Sequence, residues 1–238
     1  MSAINPLPCF LLAAGRGERM RPLTDSTPKP LLTIQNKSLL AWHLEAIAKS
    51  GIQNVVINHA WLGKQIEESL GDGHQFGLSI QYSPEATALE TAGGIRKALG
   101  LLHPDDYFLA INGDVFTPNF NINQLIEKAS KLRTHPTQPL AHLLMVPNPT
   151  QHPNGDFFLK DSMVTEHPST GAEKLTFSGI GIYHKDLFRD VEPGASAKLA
   201  PLLRKVMEQN KVSGEKYTGP WHDVGTPERL QELNAAYE

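Results

Sequence analysis

The stretch Cys9-Phe10-Leu11-Leu12-Ala13-Ala14-Gly15-Arg16-Gly17-Glu18-Arg19-Met20-Arg21-Pro22-Leu23-Thr24 decides the fold. Its opening, Cys9 to Ala14, is apolar without alternation, the pattern of a strand buried on both faces of a parallel sheet. Two glycines follow at once, so the strand runs into a turn where backbone amides can face inward with no Cβ in the way. A concave array of amides suits phosphate oxygens, although glycine pairs are also ordinary turn formers. The spacing is not the dinucleotide fingerprint G-x-G-x-x-G, because Met20 stands where the third glycine belongs. A G-x-x-x-x-G-K-[ST] phosphate loop occurs nowhere in the chain.

Outward from this strand, strands and helices alternate. Residues 38–50 predict an amphipathic helix, apolar at Leu39, Leu40, Leu44, Ile47 and Ala48, with Ser38 as N-cap and Gly51 as stop. Val55-Val56-Ile57 predicts a strand, about 61–70 a helix ending at Gly71, and Leu78 to Tyr82 a short apolar segment. A helix at about 91–102 then leads to a second buried strand, Tyr107 to Ile111, which ends in Asn112-Gly113-Asp114. This order predicts right-handed crossovers and a parallel sheet.

Past Asp114 the regularity loosens. A helix at about 121–132, a strand Ala141 to Val146 and strand-like pieces near 157, 164 and 175–183 predict α+β decoration over one end of the sheet. Helices at Ala197–Glu208 and Pro227–Tyr237 follow, the last with Thr226 as N-cap and proline in its first turn. No repeat, low-complexity tract or linker interrupts residues 1–238, so a single domain is expected.

With 238 residues, 40% of them hydrophobic and 20% charged, the chain can build one large core. Its 22 Lys+Arg against 25 Asp+Glu give a formal charge of −3, which leaves no broad positive surface for a nucleic-acid partner. The apolar run before Gly15 is too short for a signal or a membrane segment, so no membrane partner is expected. Cys9, the one cysteine, allows no internal disulfide and no CxxC site; a buried thiol in a reducing cytoplasm is expected.

Chemistry concentrates in the glycine loop and two carboxylates. Arg16, Arg19 and Arg21 lie in or just beyond the loop, and Lys29 sits between Pro28 and Pro30, which predicts an extended, stiff segment. Four cations near inward amides favour an anion clamp, with Arg16 and Arg21 individually read as surface charge. Asp114 falls at the carboxyl end of a parallel strand, where open α/β sheets bind ligands. Asp223, in Trp221-His222-Asp223-Val224-Gly225-Thr226-Pro227, precedes the last helix. Two such carboxylates suit Mg²⁺, which takes a few hard oxygens and keeps water and phosphate for the rest. Each also has a plainer reading, Asp114 as a turn residue and Asp223 as a carboxylate favoured by a helix dipole.

Glu90-Thr91-Ala92-Gly93-Gly94 opens a predicted helix, either as a plain helix start or as room for a flat base. Gly179, in Phe177-Ser178-Gly179-Ile180, sits within a predicted strand and can mark a bulge. The ten histidines show no HExxH-type spacing and carry no assigned role. No Gly-x-Ser-x-Gly elbow supports a covalent nucleophile.

The run Gly15-x-Gly17-x-Arg19-Met20-x-Pro22-Leu23-Thr24 with Pro28-Lys29-Pro30-Leu31 resembles the signature of the sugar-1-phosphate nucleotidyltransferases. The resemblance spans nearly the whole chain. It implies an α/β fold: a single-domain, Rossmann-like, mixed and mainly parallel sheet flanked by helices, with a small α+β subregion on the sugar side. The nucleotide-binding part would cover about 1–114 and the sugar-binding part about 115–225. It also implies that Arg19 and Lys29 neutralise phosphates, that Asp114 and Asp223 hold Mg²⁺, and that these four are catalytic. The nucleotide would meet Ala13, Ala14, Gly15, Gly17, Arg19, Lys29, Thr91 and Gly93; the sugar would meet Asn112, Glu166 and Gly179. Glu166-His167-Pro168 departs from the family's Glu-Lys-Pro, which puts the role of Glu166 in question.

Within the family, Ile57-Asn58-His59-Ala60-Trp61-Leu62-Gly63, Leu89-Glu90-Thr91, Lys198-Leu199-Ala200-Pro201-Leu202-Leu203 and Val212-Ser213-Gly214-Glu215 are similar to bacterial N-acetylmuramate α-1-phosphate uridylyltransferases of cell-wall recycling. That likeness implies UTP and the sugar phosphate as partners, and a monomer or homodimer. A mannose-1-phosphate guanylyltransferase shares the loop and both aspartates and is the alternative. A nucleotide-sugar binding protein without turnover is the reading from another class.

Overall fold

A computed structural model describes residues 7–237. Residues 1–6, on which part of the leader reading rests, lie outside it.

The decisive strand, β1 (Cys9–Leu12), is central. It pairs in parallel with β4 (Asn54–His59) on one side and β6 (Tyr107–Asn112) on the other, and β5 (Ser79–Pro84) extends the parallel half beyond β4. Successive residues of β1, β4 and β6 point to opposite faces and nearly all are buried, as two covered faces require. Cys9, Leu11, Val55, Ile57, Leu109 and Ile111 pack into a core with α2 (Leu39–Lys49), α3 (Gly63–Leu70) and α5 (Asn123–Arg133). Phe10, Val56, Phe108 and Ala110 pack on the other face with α4 (Glu90–Leu102) and α6 (Leu199–Met207). Burial pushes the Cys9 thiol far above its ordinary range, so it is an inert core residue.

Beyond β6 the sheet turns antiparallel. β11 (Glu173–His184) pairs antiparallel with β6 and with β8 (Ala141–Val146), β12 (Val212–Lys216) runs parallel to β8, and β10 (Met163–Thr165) and β9 (Phe157–Lys160) close a nine-stranded sheet. The expected decoration is therefore part of the main sheet. The twelve-residue β11 is long enough to bind β6, β8 and β9 in turn, with an irregularity between Phe177 and Gly181. Gly179 sits there at φ +82, so the bulge reading of that glycine holds. β12, Val212-Ser213-Gly214-Glu215-Lys216, carries no apolar run that marks it as a strand. Gly214 breaks its apolar pattern, yet a Cβ there would lie 2.5 Å from Val164 Cγ2, so glycine is what lets β10 close on β12.

Two small ladders finish the site end. β2 (Thr33–Ile34) pairs with β3 (Lys37–Ser38), and β7 (Val115–Phe116) pairs antiparallel with β13 (His222–Asp223). The short α1 (Leu23–Ser26) and the closing α7 (Pro227–Ala236) complete the described elements. Both predicted N-caps form: Ser38 Oγ accepts from Ala41 N at 3.2 Å, and Thr226 Oγ1 from Arg229 N at 3.4 Å. Met20, the residue that breaks the dinucleotide fingerprint, is fully buried against Ile34, Leu39, Phe116, Val224, Leu230 and Leu233. That cluster ties the glycine loop to the C-terminal helix. No described helix is long and apolar enough to cross a membrane.

Candidate active site

The carboxyl ends of β1, β4 and β6 border a cavity of about 340 Å³. Its lining includes Leu12, Ala13, Ala14, Gly15, Lys29, Asn58, Glu90, Thr91, Asn112 and Asp114. Seven of the residues expected at the site line this one opening: Ala13, Ala14, Gly15, Lys29, Thr91, Asn112 and Asp114. The lining contains no histidine.

Lys29 is held differently from the expectation. It opens a 3-10 turn, Lys29–Leu31, in place of an extended segment, because Pro28 supplies extended backbone (ψ 138) and Pro30 has the φ an early helical position needs. The turn lays the lysine stem against Gly17, and the side chain is buried until its Nζ donates to Asp114 Oδ2 at 2.5 Å. Gly17 adopts φ +68, and a Cβ on it would sit 3.0 Å from Lys29 Cβ and 3.1 Å from Thr24 Cγ2. Gly17 is a packing requirement behind Lys29. Gly15, by contrast, has nothing within 4 Å of where its Cβ would be, so its open face is turned to solvent at the cavity mouth.

Asp223 reaches Asp114 through the β7–β13 ladder. Asp223 pairs with Val115, and Val224 N donates to the Asp114 carbonyl at 3.0 Å, so the two acids are one register step apart across a two-stranded pair. Asp223 does not line the main cavity; it borders the neighbouring depression with Trp221 and Arg229. Its Oδ2 accepts from Arg229 Nη1 at 2.8 Å, a partner the sequence reading did not assign. Arg19 points the same way: a Cβ on Gly225 would lie 3.3 Å from Arg19 Nη2, 2.9 Å from Arg229 Nη1 and 3.0 Å from Asp223 Oδ2. Arg19 therefore converges with Asp223 and Arg229 over Gly225, outside the lining of the main cavity.

Asp114, just before β7, and Asp223, on β13, are carboxylates of the kind a hard divalent cation takes together with water and phosphate oxygens, although they border different depressions. They do not fit a protein-caged metal, since no group of three or more His, Cys, Asp or Glu comes together among the described residues.

A buried network was invisible in the sequence. Asn58 Oδ1 accepts from Ala13 N at 2.8 Å, Asn58 Nδ2 donates to Glu85 Oε1 at 2.7 Å, and Glu85 Oε2 accepts from Leu89 N at 2.8 Å. It fixes the loop strand end to the segment that starts α4. Ala13's amide is thus committed within the protein and contributes no donor to a ligand. Gly94 makes room for the network: a Cβ there would come within 2.8 Å of both Asn58 Nδ2 and Glu85 Oε1. Glu90, at φ +61 on the cavity edge, is a non-glycine residue in the left-handed region.

Besides Gly17, Arg19 and Asp223, three more residues expected at the site lie outside the cavity lining. Gly93 is buried, its amide donates to the Ala197 carbonyl at 3.1 Å, and a Cβ would meet Ala195 O at 2.3 Å, so it serves the packing of α4 on that segment. Gly179 lies behind Asn112, whose Nδ2 would be 2.8 Å from its Cβ. Glu166 is ion-paired with Arg204 Nε at 2.7 Å and does not line the cavity.

A loop of glycines and cations at the carboxyl ends of parallel strands, facing a lysine-bound aspartate, is a frame for handling phosphates. The family model described as Nucleotidyl transferase matches residues 9–238. The chain belongs to the nucleotidyl transferase family. This member is 52% identical over 227 residues, 95% of its length and 96% of the relative's, to an N-acetylmuramate alpha-1-phosphate uridylyltransferase of Neisseria meningitidis serogroup B. It is 30% identical over 237 residues, 94% of its own length and 93% of the relative's, to a protein of the same name from Caulobacter vibrioides. In shape, it matches a crystal structure of HddC from Yersinia pseudotuberculosis complexed with GMP-PN at a TM-score of 0.76, with 18% identity, over 98% of this chain and 100% of the other. That likeness concerns the fold, an α/β nucleotidyltransferase with a mixed sheet.

Proposed function

We propose that this nucleotidyltransferase transfers the uridylyl group of UTP to N-acetylmuramate α-1-phosphate, giving UDP-N-acetylmuramate and pyrophosphate, in cytoplasmic cell-wall sugar recycling. The observation that carries the reading is the 52% identity, over nearly the full length of both chains, to the Neisseria relative.

In this reaction a phosphate oxygen of the sugar phosphate forms a bond to the α-phosphorus of UTP as the bond to the bridging oxygen breaks and pyrophosphate departs. The monoester is already ionised near neutral pH, so no general base is required, in keeping with a lining free of histidine. The chain's task is to align two polyanions and offset their repulsion. The loop at Ala14 and Gly15 and the start of α4 at Thr91 form the nucleotide side, residues about 1–114; the sugar side, about 115–225, approaches past Asn112. Lys29 sets its ammonium at the meeting point, and Asp114 keeps that ammonium in place through the 2.5 Å contact. Arg19 and Arg229 supply positive charge beside Asp223, where a departing pyrophosphate can be received. Asp114 and Asp223 would hold Mg²⁺, which when bound supplies further charge neutralisation between the reacting phosphates.

A substrate matrix tests the proposal: pyrophosphate release with Mg²⁺ from UTP or GTP, each with N-acetylmuramate α-1-phosphate or mannose 1-phosphate. Turnover confined to UTP with N-acetylmuramate α-1-phosphate is expected. Preference for GTP with mannose 1-phosphate would replace the reading with a guanylyltransferase, and no release with any pair would leave a nucleotide-sugar binding protein.

A further inference from the structure

Trp61 is one of the few large apolar side chains left substantially exposed, at 39%. It stands on the turn between β4 and α3 and does not line the cavity. Its surroundings are nevertheless specific. The indole Nε1–H donates to the Thr24 carbonyl at 2.9 Å, and the Arg16 guanidinium lies over the ring at 4.0 Å from its centroid. Arg16 Nη1 donates to the same carbonyl at 2.8 Å, and its Nη2 reaches Asp25 Oδ1 at 3.1 Å. The Thr24 oxygen thus has both lone pairs engaged, by two groups that also stack on each other.

Thr24 is the piece this clamp controls. It is fully buried, its Oγ1 donates to the Gly17 carbonyl at 2.9 Å, and its Cγ2 fills the space beside Gly17 opposite the Lys29 stem. A shift at Thr24 therefore moves Gly17 and loosens Lys29 together. The platform beneath Trp61 is fixed: Gly63 packs so closely on His59 that a Cβ would lie 1.9 Å from its Nδ1, and Gln65 Nε2 grips the Ser26 carbonyl at 3.0 Å. Arg16, in the middle of the anion-binding motif, has its guanidinium committed to this clamp.

We propose that Trp61, with Arg16 stacked on it, is a positioning residue for the triphosphate: acting through Thr24, it sets the shape of the glycine loop and the placement of Lys29. This rests on the reading that the loop receives the phosphates of the nucleoside triphosphate. A residue that shapes the loop and seats Lys29 acts on nucleotide binding and, through Lys29, on kcat, while touching no residue of the sugar side.

The test compares Trp61→Ala, Trp61→Phe and Arg16→Gln with wild type in KM for UTP, KM for N-acetylmuramate α-1-phosphate, kcat and melting temperature, with calorimetric binding of UTP alone alongside. Trp61→Ala should raise the UTP KM and dissociation constant about tenfold, with the sugar-phosphate KM within about twofold. Trp61→Phe, which keeps a ring under Arg16 and loses the N–H, should fall between Ala and wild type, and Arg16→Gln should resemble Trp61→Ala. Unchanged UTP binding in folded Trp61→Ala, or in Arg16→Gln should the tryptophan variant not fold, overturns the proposal. A parallel rise in both KM values with a lowered melting temperature also overturns it, since that is general destabilisation. Wild type that binds UTP yet turns over no sugar phosphate would fail the functional reading while the calorimetric comparison still decides the role of Trp61.

Discussion

Lys29 Nζ and Asp114 Oδ2 meet at 2.5 Å although 85 residues separate them in sequence. The lysine side chain is 10% exposed and the aspartate 34%, so the pair is anchored on the lysine side and open on the carboxylate side. A buried ammonium with one carboxylate partner has donors left for phosphate oxygens. Lys29→Ala should therefore lower kcat by about 10² to 10³, or about 2.7–4 kcal/mol of transition-state stabilisation, while circular dichroism stays native. Pyrophosphate release under saturating substrates measures it; turnover within a few-fold of wild type would take Lys29 out of the reaction.

Asp223 and Arg229 separate two roles within one ion pair. Asp223→Asn keeps the shape and removes the charge, so kcat should fall by about 10² to 10³. Arg229→Ala keeps the carboxylate but frees it to rotate, so a smaller loss, about tenfold, is expected, with a rise in the Mg²⁺ concentration needed for half-maximal rate. Titrating Mg²⁺ against rate for both variants checks this. An Arg229→Ala enzyme with wild-type Mg²⁺ dependence would show that the arginine does not orient Asp223.

What could be read from sequence follows from where the signal is local. The buried strands, the capped helices and the pairing of glycine loop with Lys29 and Asp114 all announce themselves through short runs: continuous apolar stretches, Ser38 and Thr226 before periodic segments, an Asp at a strand end. Asn58, Glu85 and Arg229 carry no such mark. A buried Asn at a strand end looks like a turn residue, and only folding brings Glu85 under it, 27 positions on. The antiparallel half is less legible for a related reason: β9, β10 and β12 are short, and β9 is placed by its pairing with β11 and β12 by its pairing with β8, partners distant in sequence. Lys29 reads as extended because a proline stands on either side of it, whereas Pro28 followed by Lys29-Pro30 is also a good start for a helical turn.

Two glycines on α4 should respond oppositely to the same substitution. Gly94→Ala drives a Cβ to 2.8 Å from Asn58 Nδ2 and Glu85 Oε1, so the network must open, at a cost of about 1–3 kcal/mol from overpacking and a similar amount from disturbed buried hydrogen bonds. Gly100→Ala meets nothing within 4 Å and gains up to about 1 kcal/mol of helix propensity. Denaturant unfolding of the two variants gives the comparison. Equal effects would mean that the network does not constrain the helix.

Acid stability should turn on His43. This imidazole is buried beside Val115 with its Nε2 lacking a hydrogen-bond partner, and burial pulls its pKa down from 6.5 to about 4 against smaller opposing pulls from the Val115 carbonyl and Asp114. The unfolded chain therefore binds the proton first. The contribution is fully present above pH 6.5 and is lost as pH falls from 6.5 through 4, about 2 kcal/mol of it by pH 5. His142, also lowered by burial, acts in the same direction, whereas Glu215, held at about 2 chiefly by the neighbouring His142, whose Nε2 lies 3.5 Å from its Oε2, adds its loss only as pH falls below the ordinary carboxylate range. Wild type should thus melt several degrees lower at pH 5 than at pH 7.5, at roughly 2–4 °C per kcal/mol for a chain of this size. His43→Leu, with nothing to protonate at that site, should show a clearly smaller drop between the same two pH values, whatever its stability at pH 7.5. Identical drops in the two proteins would place the acid sensitivity elsewhere.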